Sequence, residues 1–222
     1  MNLLTEFAAM RPAGGFDLIM ADPPWRFDLR DDETGKAKSP QAHYECMPLD
    51  EIAAMPVSAL AAKDCLLILW ATHPMLPLQI DVMASWGFQY KTSGVWVKRT
   101  KHGKVNFGPG YVLRTASEPF IIATRGSPST SRSVRSVWIE HGDELAEDER
   151  DAAWPLESFS ITIEAAVREH SRKPDIAFSM AEQLMPEARR LELFSRQQRP
   201  KWTVWGNETE KFPEIDQETI HE

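Results

Sequence analysis

A chain of 222 residues, 42% of them hydrophobic and 26% charged, is long enough for one well-buried domain and has the balance of an ordinary globular enzyme. No apolar run reaches membrane-spanning length and no basic segment followed by an apolar core opens the chain; Cys46 and Cys65 are the only cysteines, and neither has a metal-ligand neighbour. These features argue against a membrane span, a signal peptide, a disulfide frame and structural zinc, and they predict a reduced, cytoplasmic protein with no metal site.

The formal charge of −8, taken as one number, argues against nucleic-acid binding; its distribution argues otherwise. Nine lysines and arginines lie between Lys91 and Arg135 with one acid among them, Glu118, and the sign then reverses from Glu140 to Asp151. Such segregation lets an acidic protein present a basic face to phosphates. By itself, a charge run is better read as solvated surface, so a second signal is needed.

Residues 1–11 form a short amphipathic lead-in (Leu3, Leu4, Phe7, Met10), ended by Pro12 and the Gly14-Gly15 turn. The apolar run from Phe16 to Ala21 reads as a buried strand, stopped at its carboxyl end by Asp22-Pro23-Pro24-Trp25. Two consecutive prolines stiffen the turn and remove its N–H donors, leaving a carboxylate, backbone carbonyls and an indole together. That set suits an exocyclic amine on a flat heterocycle: Asp22 and a proline carbonyl each accept one N–H, and Trp25 stacks on the ring. Residues 26–41 are polar and read either as a loop that closes over substrate or as a plain solvated loop.

Asp50 is the expected cap of a helix with Ile52, Met55 and Leu60 as its apolar positions, interrupted by Pro56. Residues 65–71 are apolar throughout, as in a strand covered on both faces, and Thr72 with Pro74 opens a helix carrying Leu76, Ile80, Met83 and Trp86 up to Gly87. Further strands are predicted at 95–98 and 119–124, with a loop at 101–110 between them. Residues 127–157, Ser-rich and basic and then acidic, read as a flexible insertion within the domain, and the alternation Phe159, Ile161, Ile163 as an edge strand. Pro174 opens a helix with the stripe Ala177, Met180, Ala181 and Leu184; a strand at 191–195 and a piece at 202–207 follow, before an acidic tail at 209–222. The alternation predicts an α/β domain over residues 1–208, with an open, mostly parallel sheet, helices on both faces and ligands beyond the carboxyl ends of the strands.

Asp22-Pro23-Pro24-Trp25 resembles the catalytic motif of the N6-adenine methyltransferases, in the branch whose eukaryotic relatives methylate adenosine in messenger RNA. Segments later in the chain resemble that family in the same order: Trp96-Val97-Lys98, Gly108-Pro109-Gly110-Tyr111, Glu118 onward to Gly126, Ser171-Arg172-Lys173-Pro174-Asp175, Leu191-Glu192-Leu193-Phe194-Ser195-Arg196, and Trp202 with Gly206-Asn207-Glu208. The resemblance implies a Rossmann-like methyltransferase domain in permuted order, the catalytic motif preceding the segments that bind S-adenosylmethionine.

It further implies roles. Asp22, Pro23, Pro24 and Trp25 are the catalytic residues. Lys173, standing before a helix N-terminus, attracts the methionine carboxylate of the cofactor. Glu192 or Arg196 holds the ribose hydroxyls, Phe194 lines the adenosine pocket or the core, Asn207 reads the cofactor's adenine edge or serves a turn, and Glu208 accepts from adenine or ribose. Tyr111 is a second wall for the target base, while Lys98, Arg132 and Arg135 face the nucleic acid. A glycine-rich nucleotide-binding loop is absent, as in this branch of the family. DNA is the preferred substrate, RNA the alternative, and an inactive nucleic-acid-binding subunit a third reading. A monomer and a homodimer both fit.

Overall fold

The computed structural model describes residues 2–26, 46–108, 110, 112–131, 134, 137–139, 161–169 and 172–212. The helices are α1 (Leu3–Met10), α2 (Leu49–Ala54), α3 (Leu76–Ser85) and α4 (Asp175–Leu184). The strands are β1 (Phe16–Ala21), β2 (Ala61–Trp70), β3 (Gln89–Arg99), β4 (Ser117–Arg125), β5 (Val137–Ile139), β6 (Ile161–Ala166), β7 (Arg190–Leu193) and β8 (Trp202–Trp205). They form one sheet in the order β5-β6-β3-β4-β2-β1-β7-β8. β4 is antiparallel to both its neighbours, β2 and β3, and the other described pairs are parallel.

Alternation along the central strands builds a core on each face. Ile19 and Ala21 of β1, Leu67 and Leu69 of β2, and Leu191 and Leu193 of β7 turn towards Phe7, Ile52, Met83 and Trp86, under α1, α2 and α3. Leu18, Met20, Leu66, Ile68 and Trp70 turn to the opposite face, where α4 covers them with Ala177, Phe178, Met180 and Ala181. The open, mostly parallel α/β sheet with helices on both faces is therefore as expected.

Local details differ from the expectations. Asp50 lies in the first turn of α2, and Pro48 is its cap residue. Thr72 and Pro74 open a single 3-10 turn, His73–Met75, from which α3 continues. β3 begins at Gln89, well before the expected start, because its polar first half pairs with β4 while staying largely exposed. β6 is not an edge strand: it runs between β3 and β5, and β5 comes from the stretch expected to be an insertion. Among the described residues no helix is long and apolar enough to cross a membrane.

Candidate active site

β1 ends between β2 and β7, so the residue that follows it sits inside the sheet, flanked on both sides at the carboxyl ends of these three parallel strands. Asp22 N–H donates to the Leu193 carbonyl (3.3 Å), which carries the β1–β7 pairing one residue past the strand. The double proline then turns the chain: Trp25 N–H donates to the Pro23 carbonyl (2.8 Å) and Met47 N–H to the Pro24 carbonyl (2.8 Å). The Trp25 indole N–H donates to the Trp70 carbonyl (3.1 Å), pinning the turn to the end of β2.

Four charged groups run away from the turn in alternating sign. Lys173 Nζ lies 2.6 Å from Asp22 Oδ2 and 2.9 Å from Glu118 Oε1, and Lys98 Nζ lies 2.8 Å from Glu118 Oε2. Antiparallel β4 makes this possible, because its first residues share the sheet end with Asp22; Phe120 pairs with Trp70 in register. Burial alone would neutralise Lys173, but the Asp22 and Glu118 carboxylates hold its pKa above the ordinary lysine value. Glu118 is opposed by its own burial and still falls to about 2, drawn down by Lys173 and Lys98. Burial pushes the Asp22 carboxyl up, against the pull of Lys173 and with the help of the Glu118 charge.

Beside Asp22 opens a cleft of about 460 Å³, within the range of small-ligand sites. One wall is Asp22, Pro23, Pro24, Met47, Pro48 and Glu51; the other is residues 194–196 and 205–208. The second wall exists because the turns after β7 and β8 lie against each other. Phe194 takes a left-handed backbone (φ 64°) and turns the chain out of β7. Ser195 N–H donates to the Trp205 carbonyl (2.9 Å), and Gly206 passes so near the Ser195 carbonyl that a Cβ has no room. Arg196 Nε donates to Glu208 Oε2 (2.9 Å) across the gap, and Phe194 stands edge-on to Trp205.

A smaller recess, about 30 Å³, lies on the α4 side of Asp22 and is lined in part by Arg172, Lys173, Glu192 and Arg199. Glu192 Oε2 is 4.0 Å from Arg199 Nε, and neither atom has a hydrogen-bond partner among the described residues. Burial raises the Glu192 carboxyl to about 7 despite Arg199.

The MT-A70 family model matches residues 16–208, from the start of β1 to the far wall of the cleft. The chain belongs to the MT-A70 family.

It is 27% identical over 221 residues to the human N(6)-adenine-specific methyltransferase METTL4, covering 96% of this chain and 42% of that protein. It is 28% identical over 199 residues to an Arabidopsis thaliana N(6)-adenosine-methyltransferase MT-A70-like protein, covering 88% of this chain and 24% of that protein. With the type II methyltransferase M.MunI of Mycoplasma sp it shares 26% identity over 223 residues, 94% of this chain and 84% of that enzyme. The chain thus spans less than half the length of the two eukaryotic relatives.

Within this MT-A70 chain the expected site residues separate into groups. Asp22, Pro23, Pro24, Phe194, Arg196, Asn207 and Glu208 line one cleft. Lys173 and Glu192 line the adjoining recess, which Asp22, Phe194 and Arg196 also border. The Lys173 ammonium is shared by two carboxylates of the chain. Trp25 differs from expectation: it is 3% exposed, packs in the core under α1–α3 and offers no face for a base to stack on. Lys98, expected to face the nucleic acid, pairs with Glu118 and lies over the Trp96 ring. Tyr111, Arg132 and Arg135 fall outside the described residues. Glu118 was the residue missed; its signal was that it is the lone acid in the basic stretch from Lys91 to Arg135.

Proposed function

We propose that the protein transfers a methyl group from S-adenosylmethionine to the exocyclic N6 amine of adenine in DNA. The observation that carries this reading is the position of Asp22, at the rim of a ligand-sized cleft whose far wall, residues 194–196 and 205–208, comes from the segments that resemble cofactor-binding segments of the family. Similarity to N(6)-adenine and N(6)-adenosine methyltransferases supports the target amine. The match to a type II methyltransferase over 84% of its length favours DNA over RNA, while the adenosine-methyltransferase relatives keep RNA as the second reading.

Cofactor and residues fit in size and chemistry. Phe194, Arg196, Asn207 and Glu208 would hold it: one aromatic surface beside polar groups able to meet a nucleoside's ring and hydroxyls. When bound it supplies an electrophilic methyl on a sulfonium. Asp22 does the protein's share. Its Oδ2 is taken by Lys173, which leaves Oδ1 to accept one amine N–H, while the Pro23 carbonyl keeps a lone pair for the other beyond the one used by Trp25 N–H. Two acceptors favour a pyramidal nitrogen with its lone pair directed outward, so positioning and electrostatics supply the acceleration. Asp22 need not be a strong base, because the amine becomes acidic only once methylated. Trp25 holds the turn from below as a positioning residue. A base in a duplex is extruded before it reaches Asp22.

The experiment is methyl transfer from labelled S-adenosylmethionine to matched duplex DNA, single-stranded DNA and RNA, followed by nucleoside analysis. N6-methyldeoxyadenosine is the expected product. Methylated adenosine from RNA alone would move the substrate and keep the mechanism; no product with cofactor bound would favour a binding-only subunit.

A further inference from the structure

The connection between β3 and β4 carries an apolar surface that the proposed chemistry does not use. Phe107, Val112 and Leu113 are 76%, 94% and 82% exposed. So much apolar side chain in water at one place marks an interaction site more often than chance exposure. The connection is also built rather than slack. Thr100 N–H donates to the Lys104 carbonyl (2.7 Å), Asn106 N–H to the Lys98 carbonyl (2.8 Å) and Gly108 N–H to the Thr115 carbonyl (2.9 Å). At its tip Gly110 has no space for a Cβ against the Leu113 carbonyl, so the backbone doubles back tightly there. These bonds fold the connection back on the end of β3, where Val105 bridges Arg99 antiparallel, and join Gly108 to Thr115, so that it forms a ledge at the end of the β3–β4 hairpin that carries the apolar side chains.

Position and charge say what the ledge meets. β4 begins where the ledge ends, and its Glu118 reaches Lys173, which is bonded to Asp22, so the ledge rises from the same sheet end as the catalytic turn. Between Thr100 and Ser117 the chain has Lys101, His102, Lys104 and Arg114 and no acid. The Arg114 guanidinium lies 5.0 Å over the Phe107 ring, an aromatic–cation pair at the surface. Apolar faces interleaved with cations and free of anions complement a partner that offers flat faces and negative charge together. Bases and phosphates do that.

We propose that the ledge is a nucleic-acid-gripping element: Phe107, Val112 and Leu113 pack on unpaired base faces beside the target adenine, while Lys101, Lys104 and Arg114 face phosphates. This rests on the nucleic-acid reading of the active site and adds where and how the strand is held.

The test reads binding, independently of methyl transfer. An F107A/L113A variant and a K101A/K104A/R114A variant are titrated against fluorescent single-stranded DNA and RNA of mixed sequence over a salt series, with S-adenosylhomocysteine affinity as the control for folding. The apolar variant is expected to bind about tenfold more weakly at every salt concentration with an unchanged salt slope. The basic variant is expected to lose affinity and to flatten the slope by about two. Both variants binding like the wild type would overturn the proposal and leave the active-site reading standing. Loss of self-association in sedimentation with unchanged nucleic-acid affinity would overturn it in favour of a protein-docking ledge. A wild-type protein that binds neither nucleic acid would remove the ledge and the substrate reading together.

Discussion

Lys173 Nζ stands 2.6 Å from Asp22 Oδ2, although 151 residues separate the two in the chain. The carboxylate at the Asp22–Trp25 turn is therefore paired within the protein, with one oxygen committed to an ammonium that Glu118 holds from its other side. A part-buried pair fixes geometry more than it adds net stability, since much of its attraction offsets desolvation.

Replacing Lys173 by Met leaves Asp22 facing Glu118 with no cation between them. The expected loss of stability lies at or below the lower end of the about 3–5 kcal/mol for broken buried pairs, because Asp22 is only part-buried. Without the ammonium the Asp22 carboxyl rises further, so the acid limb of the methyl-transfer pH profile moves to higher pH. Lys173→Arg keeps the charge and restores part of both. Thermal unfolding and pH–rate profiles of the two variants check this.

Asp22→Asn keeps the shape of the turn but removes a charged acceptor where the amine is to be held. Methyl transfer should fall by about two to three orders of magnitude, the scale of losing one preorganised electrostatic contact. Affinity for S-adenosylhomocysteine, measured by calorimetry, should stay nearly as it was. Undiminished turnover would remove Asp22 from the chemistry.

Glu192 titrates at about 7 in the folded chain against an ordinary value of 4.5. Between those values the folded chain keeps a proton that the unfolded chain has lost, so this group's contribution to stability falls as pH rises through the window. Above pH 7 the full penalty applies, about 3 kcal/mol at most. Glu192→Gln should match the wild type in stability near pH 4 and exceed it at pH 8. Denaturant unfolding at the two values decides.

Trp25→Phe separates the two roles considered for this ring. As a positioning residue it loses the bond to the buried Trp70 carbonyl, costing about 1–3 kcal/mol of stability, and lowers turnover by loosening the turn. Ring stacking on substrate would instead appear as a raised KM with unfolding unchanged. The first pattern is expected.

Much of this was legible in the sequence. β1 and the buried stretches of β2 and β4 are apolar runs, and the open-sheet rule puts Asp22 and Arg196 just past strand ends; Asp22 directly follows β1, whereas β7 stops at Leu193, two residues short of the expected end, so Phe194 and Ser195 belong to the turn. The first half of β3 was not legible, because residues 89–93 are polar; pairing with β4, not burial, makes them a strand. β6 read as an edge because the strand that covers it has only three residues, too few to show a period. The direction of the Trp25 ring was illegible too. A motif gives an indole's place in the chain, and only the packing of β2 and α1–α3 decides which way it turns.

The separation of Asp22 from its partners also has a meaning for synthesis. When a ribosome has made the first half of this chain, β1 already carries the Asp22 turn, but β7, which pairs with it along one side, has not been made. Until residues 190–193 arrive, that side of β1 is a bare strand edge, open to pairing with other chains. Lys173 and the cleft's second wall come equally late. The nascent protein thus needs shelter for β1 until then, and a message cut short before residue 190 would yield an aggregation-prone fragment rather than a weak enzyme.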